Sequence, residues 1–183
     1  MDQDREHMVT GLFNDRASAE RAYQSATARG YSKDDVNLLM SDETRKRHFS
    51  GDAATSTELG SKAAAGAGVG GAIGGTVGAV LGAIAAVGTS IAIPGLGLVI
   101  AGPIAAGLVG AGAGALTGGV VGALVGWGIP EEHAKEYEAG IKSGGIVMGV
   151  RPRSEEDAAY LHNEWATTGR NVYRSGATVT ERS

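Results

Sequence analysis

The chain has 183 residues, a formal net charge of −4 at pH 7 and no cysteine. The absence of cysteine excludes a disulfide framework, a thiolate zinc site and a cysteine nucleophile, and the acidic balance gives no electrostatic case for nucleic acid. All charged residues lie in two flanks, residues 1–62 and 131–183, which leaves a long uncharged segment between them.

The first flank, residues 1–49, has the pattern of a strand, a helix and a second strand. Short apolar runs at residues 8–13 and 36–40 predict the two strands. Between them, small apolar residues recur at helical spacing over residues 16–29, and Asn14 or Asp15 can cap the start of that helix. A linker of residues 50–62 is expected to follow.

The second flank, residues 131–176, repeats this pattern after one additional helix. Pro130 suits the first turn of a helix that ends near Gly144, and the acidic start of that helix complements its dipole. Residues 145–150 predict a strand, Ser154 begins a capping-box pattern for a helix to about Thr168, and residues 171–174 begin a last strand. Residues 177–183 are expected to form a tail.

The two strand-helix-strand units match each other, because Gly11 and Gly149 occupy equivalent strand positions and Gly30 and Gly169 follow at similar distances. One unit alone cannot bury its sheet. We therefore predict an α+β fold in which the flanks form one ferredoxin-like split β-α-β sandwich, with both repeat helices on one face of an antiparallel sheet. The alternative is a pair of unrelated α/β fragments.

The uncharged segment, residues 63–130, interleaves glycine with alanine, valine, isoleucine and leucine. Glycines recur at every fourth residue in two rows, which places each row on one ridge of a helix. Residues 63–88 and 103–127 are therefore predicted to form an all-α glycine-zipper helical hairpin with a turn between them. The predicted helix-packing residues are Gly66, Gly70, Gly74, Gly78, Gly82, Gly110, Gly114, Gly118, Gly122 and Gly126. Gly102 extends the second row backwards, and Val120 and Leu124 belong to a neighbouring row of larger residues.

Glycine makes these two helices dependent on a partner. Each glycine in a helix interior costs about 1 kcal/mol relative to alanine, so the nine glycines of the first helix and the eight of the second cost roughly 8 to 9 kcal/mol per helix. Neither helix is expected to be stable alone in water. A glycine ridge compensates by letting another backbone approach closely, so the pattern predicts self-association through helices.

The sequence favours a lipid bilayer as the environment of the hairpin. A helix of about 25 residues is roughly 37 Å long, which suits a hydrocarbon layer of about 30 Å, and the uncharged hairpin tip can cross it. The acidic start of the chain does not resemble a signal peptide, so both termini are expected on the cytoplasmic side of the membrane. The alternative is a soluble cytoplasmic homo-oligomer of packed hairpins, because glycine and alanine contribute little apolar area to a bilayer span.

No pattern in the chain points to a reaction. Residues 66–71 match the dinucleotide fingerprint by letter, but no strand precedes them. Glu132, His133 and Glu136 share one helical turn, which an exposed acidic helix face explains without a metal. The basic residues 45–48 are bracketed by acidic ones and are interpreted as a solvated helix end or linker. We predict no catalytic, cofactor-binding or metal-binding residue and no nucleic-acid partner; a small-ligand-sensing domain is a second alternative by fold analogy alone.

Two stretches of the flanks carry a more specific pattern. The first runs from Val9-Thr-Gly-Leu-Phe-Asn-Asp to Asp35-Val36, and the second from Gly128-Ile-Pro-Glu-Glu-His-Ala to Ser143-Gly-Gly-Ile-Val. Together they resemble bacterial general stress proteins of the heat-induced type, over nearly all of both flanks. The resemblance implies a non-enzymatic, cytoplasm-facing stress-response protein in which a glycine-zipper insertion is common, and it implies no catalytic residues.

Overall fold

The computed structural model describes residues 8–49, 91–93, 97–102, 119–126 and 128–174, and these form an α+β fold on one antiparallel sheet. The elements in chain order are β1 (Val9–Phe13), α1 (Arg16–Ala28), β2 (Val36–Ser41), α2 (Asp42–Phe49), β3 (Ile91–Ile93), β4 (Leu98–Ala101), α3 (Gly119–Gly126), α4 (Glu131–Lys142), β5 (Ile146–Val150), α5 (Glu155–Thr168) and β6 (Arg170–Arg174). The strands lie in the order β3-β4-β2-β5-β1-β6, and all neighbours in this sheet are antiparallel.

The strands and helices predicted in the two flanks are confirmed, and local capping explains where the repeat helices begin. The Asp15 carboxylate accepts the backbone N–H of Ser18 at 2.7 Å at the start of α1. Ser154 Oγ accepts the backbone N–H of Asp157 at 3.1 Å at the start of α5. Each cap satisfies a donor that has no partner within the first helical turn.

The sheet is covered on both faces. On one face, α1 and α5 pack over Phe13 and Met148; on the other, α3 and α4 pack over Leu12 and Val147. Because successive side chains of a strand point to opposite faces, β1, β2 and β5 are buried on both sides and need nearly continuous apolar sequences. The two repeat helices share one face, as predicted, while α4 lies on the opposite face.

Trp165 joins the two flanks. This α5 side chain is fully buried, and its Nε1 donates to the carbonyl oxygen of Ala22 on α1 at 3.0 Å. Its ring meets Phe13 of β1 edge-on, with ring centres 5.7 Å apart. A buried indole N–H needs such an acceptor because it has lost its hydrogen bond to water. The contact fixes both repeat helices against the sheet.

The prediction that the insertion is all-α is wrong, because β3 and β4 are strands and β4 pairs with β2. Burial is the physical reason. Val99 and Ala101 enter the core beneath α1 and α5, while Leu98 and Ile100 enter the core beneath α3 and α4. A strand that is apolar on both faces lacks the alternation by which strands are recognised, so its sequence does not distinguish it from a helix or a turn.

The prediction that Gly102 extends the second glycine row is also wrong. Gly102 has φ +106°, and a Cβ atom on it would lie 2.3 Å from the carbonyl oxygen of Val36 and 2.9 Å from Asn37 Cα. Glycine is therefore required here so that the chain can leave β4 close to the backbone of β2.

The position of β4 fixes part of the middle of the insertion. The segment between the two predicted glycine-rich helices contains β4, which neighbours β2 in the sheet that the flanks build. Whether the glycine-rich helices enter a membrane stays a prediction. Among the described helices, none combines the length and the apolar character needed to cross a bilayer.

Several predicted parts of the chain lie outside the described residues. They are the linker at 50–62, the first glycine-rich helix at 63–88, the second glycine-rich helix as far as residue 118, and the tail at 177–183. Of the second predicted helix, α3 is described, and it is helical as predicted.

Candidate functional site

The insertion meets the flanks on the sheet face that α3 and α4 cover. Val120 and Leu124 of α3 are 8% and 0% exposed, and they belong to one apolar cluster with Ile129 and with Tyr137 of α4. In the sequence, Val120 and Leu124 form the row of larger residues beside the glycine row. The helix therefore docks on the domain through its large side chains and not through glycine.

The glycine row lies on the other side of α3. Gly122 is two residues from both Val120 and Leu124, and at 3.6 residues per turn it falls on the opposite side of the helix. Gly126 follows one turn later on the same ridge. Gly122 is half-buried, and the nearby Val125 is 46% exposed. The sheet occupies the large-residue side of α3, so the glycine side faces away from it.

The structure places Gly122 and Gly126 of the predicted helix-packing site, one turn apart in a single helix. The other predicted positions lie outside the described residues: Gly66, Gly70, Gly74, Gly78, Gly82, Gly110, Gly114 and Gly118. The packing role of all ten glycines therefore stays a prediction.

Close approach also occurs at two glycines in and just after α4, which do not belong to the predicted rows. A Cβ atom on Gly140 of α4 would lie 2.2 Å from Leu12 Cδ2, and one on Gly145 would lie 2.8 Å from the carbonyl oxygen of Gly140. Real Cβ atoms essentially never make contacts this short. The end of α4 therefore packs on β1 at a distance that only glycine allows without movement of Leu12.

Tyr137 fixes α4 to the sheet through its hydroxyl group. The O–H donates to the carbonyl oxygen of Asn171 at 2.5 Å and lies 3.0 Å from Thr10 Oγ1. Burial raises the pKa of Tyr137 to about 12, and the hydrogen bond with Thr10 opposes part of that rise. The hydroxyl is therefore protonated at neutral pH and links α4 to both β1 and β6.

A buried ion pair at the start of α1 also contacts the end of α2. Arg16 Nε donates to Glu20 Oε1 at 2.7 Å, and Arg16 Nη1 donates to the carbonyl oxygen of His48 at 2.7 Å. The two charged side chains are only 8% and 2% exposed. Burial lowers the pKa of His48, and the nearby Arg47 and Arg16 lower it further. Arg16 therefore holds the last turn of α2 beside the start of α1.

A polar cavity of about 100 Å³ lies where α2 begins and α4 ends. Its lining residues are Ser41, Glu43, Thr44, Arg47, Lys142, Ser143 and Gly144. Both cations already have partners, since Arg47 bonds Glu43 at 2.6 Å and Lys142 bonds Glu138. Ligand pockets usually measure about 300–1,000 Å³, so this cavity suits a few water molecules. It gives no support to the ligand-sensing hypothesis, which requires a pocket between the sheet and the helices.

The histidine and acidic residues at the start of α4 do not converge as metal ligands. His133 Nδ1 lies 3.6 Å from Glu136 Oε2, and the His133 ring lies against Tyr173 with ring centres 4.6 Å apart. Within the described part of the chain, no three histidine or acidic side chains are grouped to hold a metal ion.

The basic residues 45–48 lie in the second half of α2. Asp42 pairs with Arg45 at 3.0 Å and with Lys46 at 2.6 Å, so acidic residues of the same helix balance much of the positive charge. This placement agrees with the interpretation as a helix end.

Comparison with known proteins adds no assignment: no family model, curated protein or solved structure matches the chain.

Two features of the site were not predicted from the sequence. The β-branched pair Val99 and Ile100 is a strand signal within the apolar run. Arg16 and Glu20 have the spacing of a helical ion pair, but nothing local indicates that α2 buries it.

Proposed function

We propose that this chain is a non-enzymatic structural protein of the bacterial stress response that self-associates in the cytoplasm through glycine-rich helices. The orientation of α3 carries the proposal, because Val120 and Leu124 are buried on the sheet and the glycine side of the helix faces away from the sheet. A glycine ridge gains stability only when a second backbone approaches it. The stress role rests on the resemblance of the flanks to general stress proteins.

In this proposal the flanks are the rigid base of the assembly and have ferredoxin-like topology. The strand order β2-β5-β1-β6 supports this topology, as does the position of α1 and α5 on one face. The insertion is attached to the base at two places, by β4 beside β2 and by α3 on the opposite face from the repeat helices. Such a base would hold the glycine side of α3 in a defined direction.

A lipid environment for the glycine-rich helices is the second candidate. It is supported by the lack of any ionisable side chain from Ala63 to Pro130 and by the exposure of Val125. In this version the glycine-rich helices associate with the cytoplasmic membrane while both termini stay on its cytoplasmic side. The pairing of β4 with β2 requires that the middle of the insertion remain beside the flanks.

Light scattering on variants of the full chain tests self-association. Gly122→Leu places a large side chain on the glycine side of α3, and we expect the measured mass to fall towards that of the monomer. Gly122→Ala is the matched control, because alanine keeps the ridge small and favours the helix by about 1 kcal/mol. We expect its mass to equal that of the wild type. An oligomer of unchanged mass in the leucine variant would contradict the proposal.

Alkaline carbonate extraction distinguishes self-association in the cytoplasm from association with lipid. We expect the wild-type chain in the supernatant as an oligomer of defined size. Retention in the membrane pellet would favour lipid. Circular dichroism of each variant serves as the control that the flanks remain folded.

Heat survival tests the stress role of the assembly. Bacteria that carry only the Gly122→Leu chain are expected to survive a heat shock less well than those that carry the Gly122→Ala chain. Equal survival of the two strains would argue against a stress function that depends on assembly.

A further inference from the structure

The core beneath α1 and α5 extends further across the sheet than these two helices reach. Val99 and Ala101 of β4 belong to this core and are 2% and 1% exposed. Among the strands, α1 lies nearest to β1 and β5, and α5 lies nearest to β1 and β6. With strands about 4.8 Å apart, β4 lies roughly 12 Å to the side of the α1 axis, but a helix with its side chains has a radius of about 5–6 Å. These helices therefore do not bury β4 by themselves.

The side of α1 that is remote from α5 is also buried. Trp165 of α5 donates to Ser25 Oγ at 3.1 Å, so Ser25 marks the side of α1 that faces α5. At about 100° per residue, Tyr23 and Glu20 lie roughly 160° and 140° round the helix from Ser25. They are nevertheless only 3% and 1% exposed. A side that faced water would leave both exposed, so another part of the chain packs against it.

No described element is placed to cover β4 on this face. Of the described helices, α3 and α4 lie on the other face of the sheet. The end of α2 meets the start of α1, where Arg16 donates to the His48 carbonyl oxygen, and its residues 42–48 are all polar or charged. The turn Lys33–Asp35 follows the far end of α1 and is charged as well. The apolar cover of β4 therefore comes from a part of the chain outside the described residues.

We propose that this cover is the first glycine-rich segment, residues 63–88, packed on the surface of β2 and β4 beside α1. This surface, the β2–β4 face, consists of Leu38, Met40, Val99 and Ala101. The chain leaves α2 beside the start of α1 and returns in β3 beside β4, so residues 50–90 begin and end at the margins of this face. Within them, residues 63–88 contain no charged side chain, as burial against an apolar surface requires.

Other parts of the chain outside the described residues fit this face less well. Residues 1–7 and 175–183 carry charged side chains and adjoin β1 and β6, on the other side of the sheet from β4. The linker of residues 50–62 is charged too. Residues 103–118 lead directly into α3, which lies on the opposite face.

The contacts of α3 indicate which side of the segment faces the sheet. α3 docks through its row of larger residues, Val120 and Leu124, and its glycine side faces away. In the first glycine-rich segment the corresponding row is Val69, Ile73, Val77 and Leu81. Docked in the same way, the two glycine rows lie on opposite faces of the sheet and do not pack on each other within one chain. Each row then needs a partner from another copy; this consequence rests on the proposed function, whereas the packing itself does not.

Pairs of cysteines test the packing in a full-length chain that has none of its own. Val99→Cys is combined in turn with Val69→Cys, Ile73→Cys, Val77→Cys or Leu81→Cys. We expect mild oxidation to form a disulfide within one chain in at least one of these pairs. The readout is the loss of both free thiols in a chain that still migrates as a monomer on a denaturing, non-reducing gel.

The neighbouring residue of β4 provides the matched control. Leu98→Cys, combined with the same four substitutions, should keep its free thiols because the Leu98 side chain enters the core on the other face. Equal disulfide formation from residues 98 and 99, or none from either, would overturn the proposal. Ala101→Cys and Ile100→Cys repeat the comparison further along β4, so that the result does not depend on the folding of one variant.

Deletion of residues 63–88 supplies a measurement without cysteines. We expect this chain to unfold cooperatively, because β4 and α3 remain, but at a lower urea midpoint than the wild type, because Val99 and Ala101 lose their cover. An unchanged midpoint would contradict the packing.

Light scattering on the cysteine variants distinguishes this inference from the proposed function. An oligomer in which neither Val99→Cys nor Ala101→Cys forms the disulfide would show that the packing is wrong while self-association stands. A monomer in which the disulfide forms would show that the packing is right while self-association fails.

Discussion

At the level of single residues, Arg16 connects α1 to the end of α2. Its guanidinium group is buried beside the Glu20 carboxylate and the carbonyl oxygen of His48. Removal of one partner from a buried pair leaves an uncompensated charge, which is strongly destabilising. The exposed pair of Lys135 with Glu131, at 2.7 Å, is screened by water and contributes little. The contribution of an ion pair to the stability of this fold therefore depends on its burial, and not on how many pairs there are.

The pH dependence of unfolding is expected to follow His48. Its pKa is lowered from 6.5 by burial and then by Arg47 and Arg16, so the folded chain favours the neutral imidazole. A lowered histidine pKa gives stability that is fully present above the unfolded-state pKa and is lost as the pH falls through the folded-state pKa. We therefore expect the urea midpoint of the wild type to decrease between about pH 7 and pH 5.

Two histidine variants provide the comparison. His48→Gln should remove most of the decrease, while His162→Gln on α5 should preserve it. Asp42 does not confuse the result: hydrogen bonds from Lys46 and Arg45 lower its pKa, so its contribution is lost only at more acidic pH. A wild-type slope that persists in His48→Gln would contradict the assignment.

At the level of the elements, β4 depends on the absence of a side chain at Gly102. Gly97 and Gly102 flank β4 and both have positive φ. An added Cβ at Gly97 meets no atom of the described residues within 4 Å, whereas one at Gly102 meets the Val36 carbonyl oxygen at 2.3 Å. We expect Gly97→Ala to cost about 1–2 kcal/mol of unfolding free energy from backbone strain alone. Gly102→Ala should cost clearly more, because β4 must also move away from β2.

Urea unfolding and hydrogen exchange measure this difference. The larger loss in Gly102→Ala should coincide with faster exchange of the amides that join β2 to β4. Equal losses in the two variants would show that the contact with Val36 does not hold β4 in place.

Elements with local signals were predictable from the sequence, and those with distant partners were not. Asp15 and Ser154 cap their helices within one turn, so α1 and α5 could be placed from nearby residues alone. The buried run of β4 shows no alternation, and its partner β2 precedes it by a long stretch of chain. Likewise, the sequence shows the row of larger residues that contains Val120. The surface on which this row packs exists only after the sheet has formed, so its docking could not be predicted.

At the level of the whole molecule, the insertion completes both cores. It contributes Val99 to the core beneath α1 and α5, and Leu98, Ile100, Val120 and Leu124 to the core beneath α3 and α4. Burial of one large aliphatic side chain contributes about 1.5–3 kcal/mol, so these five together rival the whole 5–15 kcal/mol stability of a typical domain. The flanks are therefore not an independent unit in which the insertion is an accessory.

Replacement of residues 63–127 by a flexible linker tests this dependence. We expect the shortened chain to lose cooperative urea unfolding and to bind a hydrophobic dye, because apolar surface on both sides of β2 is uncovered. A chain that retains residues 89–127 and lacks only residues 63–88 is the control and should unfold cooperatively. Full stability of the chain that lacks residues 63–127 would contradict the role of β4 and α3 in the cores.

The position of Trp165 where α1, α5 and β1 meet provides an optical signal for closure of the two flanks. The chain has two tryptophans, and the other, Trp127, belongs to the uncharged segment. Replacement of Trp127 by phenylalanine leaves one emitter, which reports only on the flank core. Fluorescence of that chain follows folding and light scattering follows association, so one sample can show which of the two comes first.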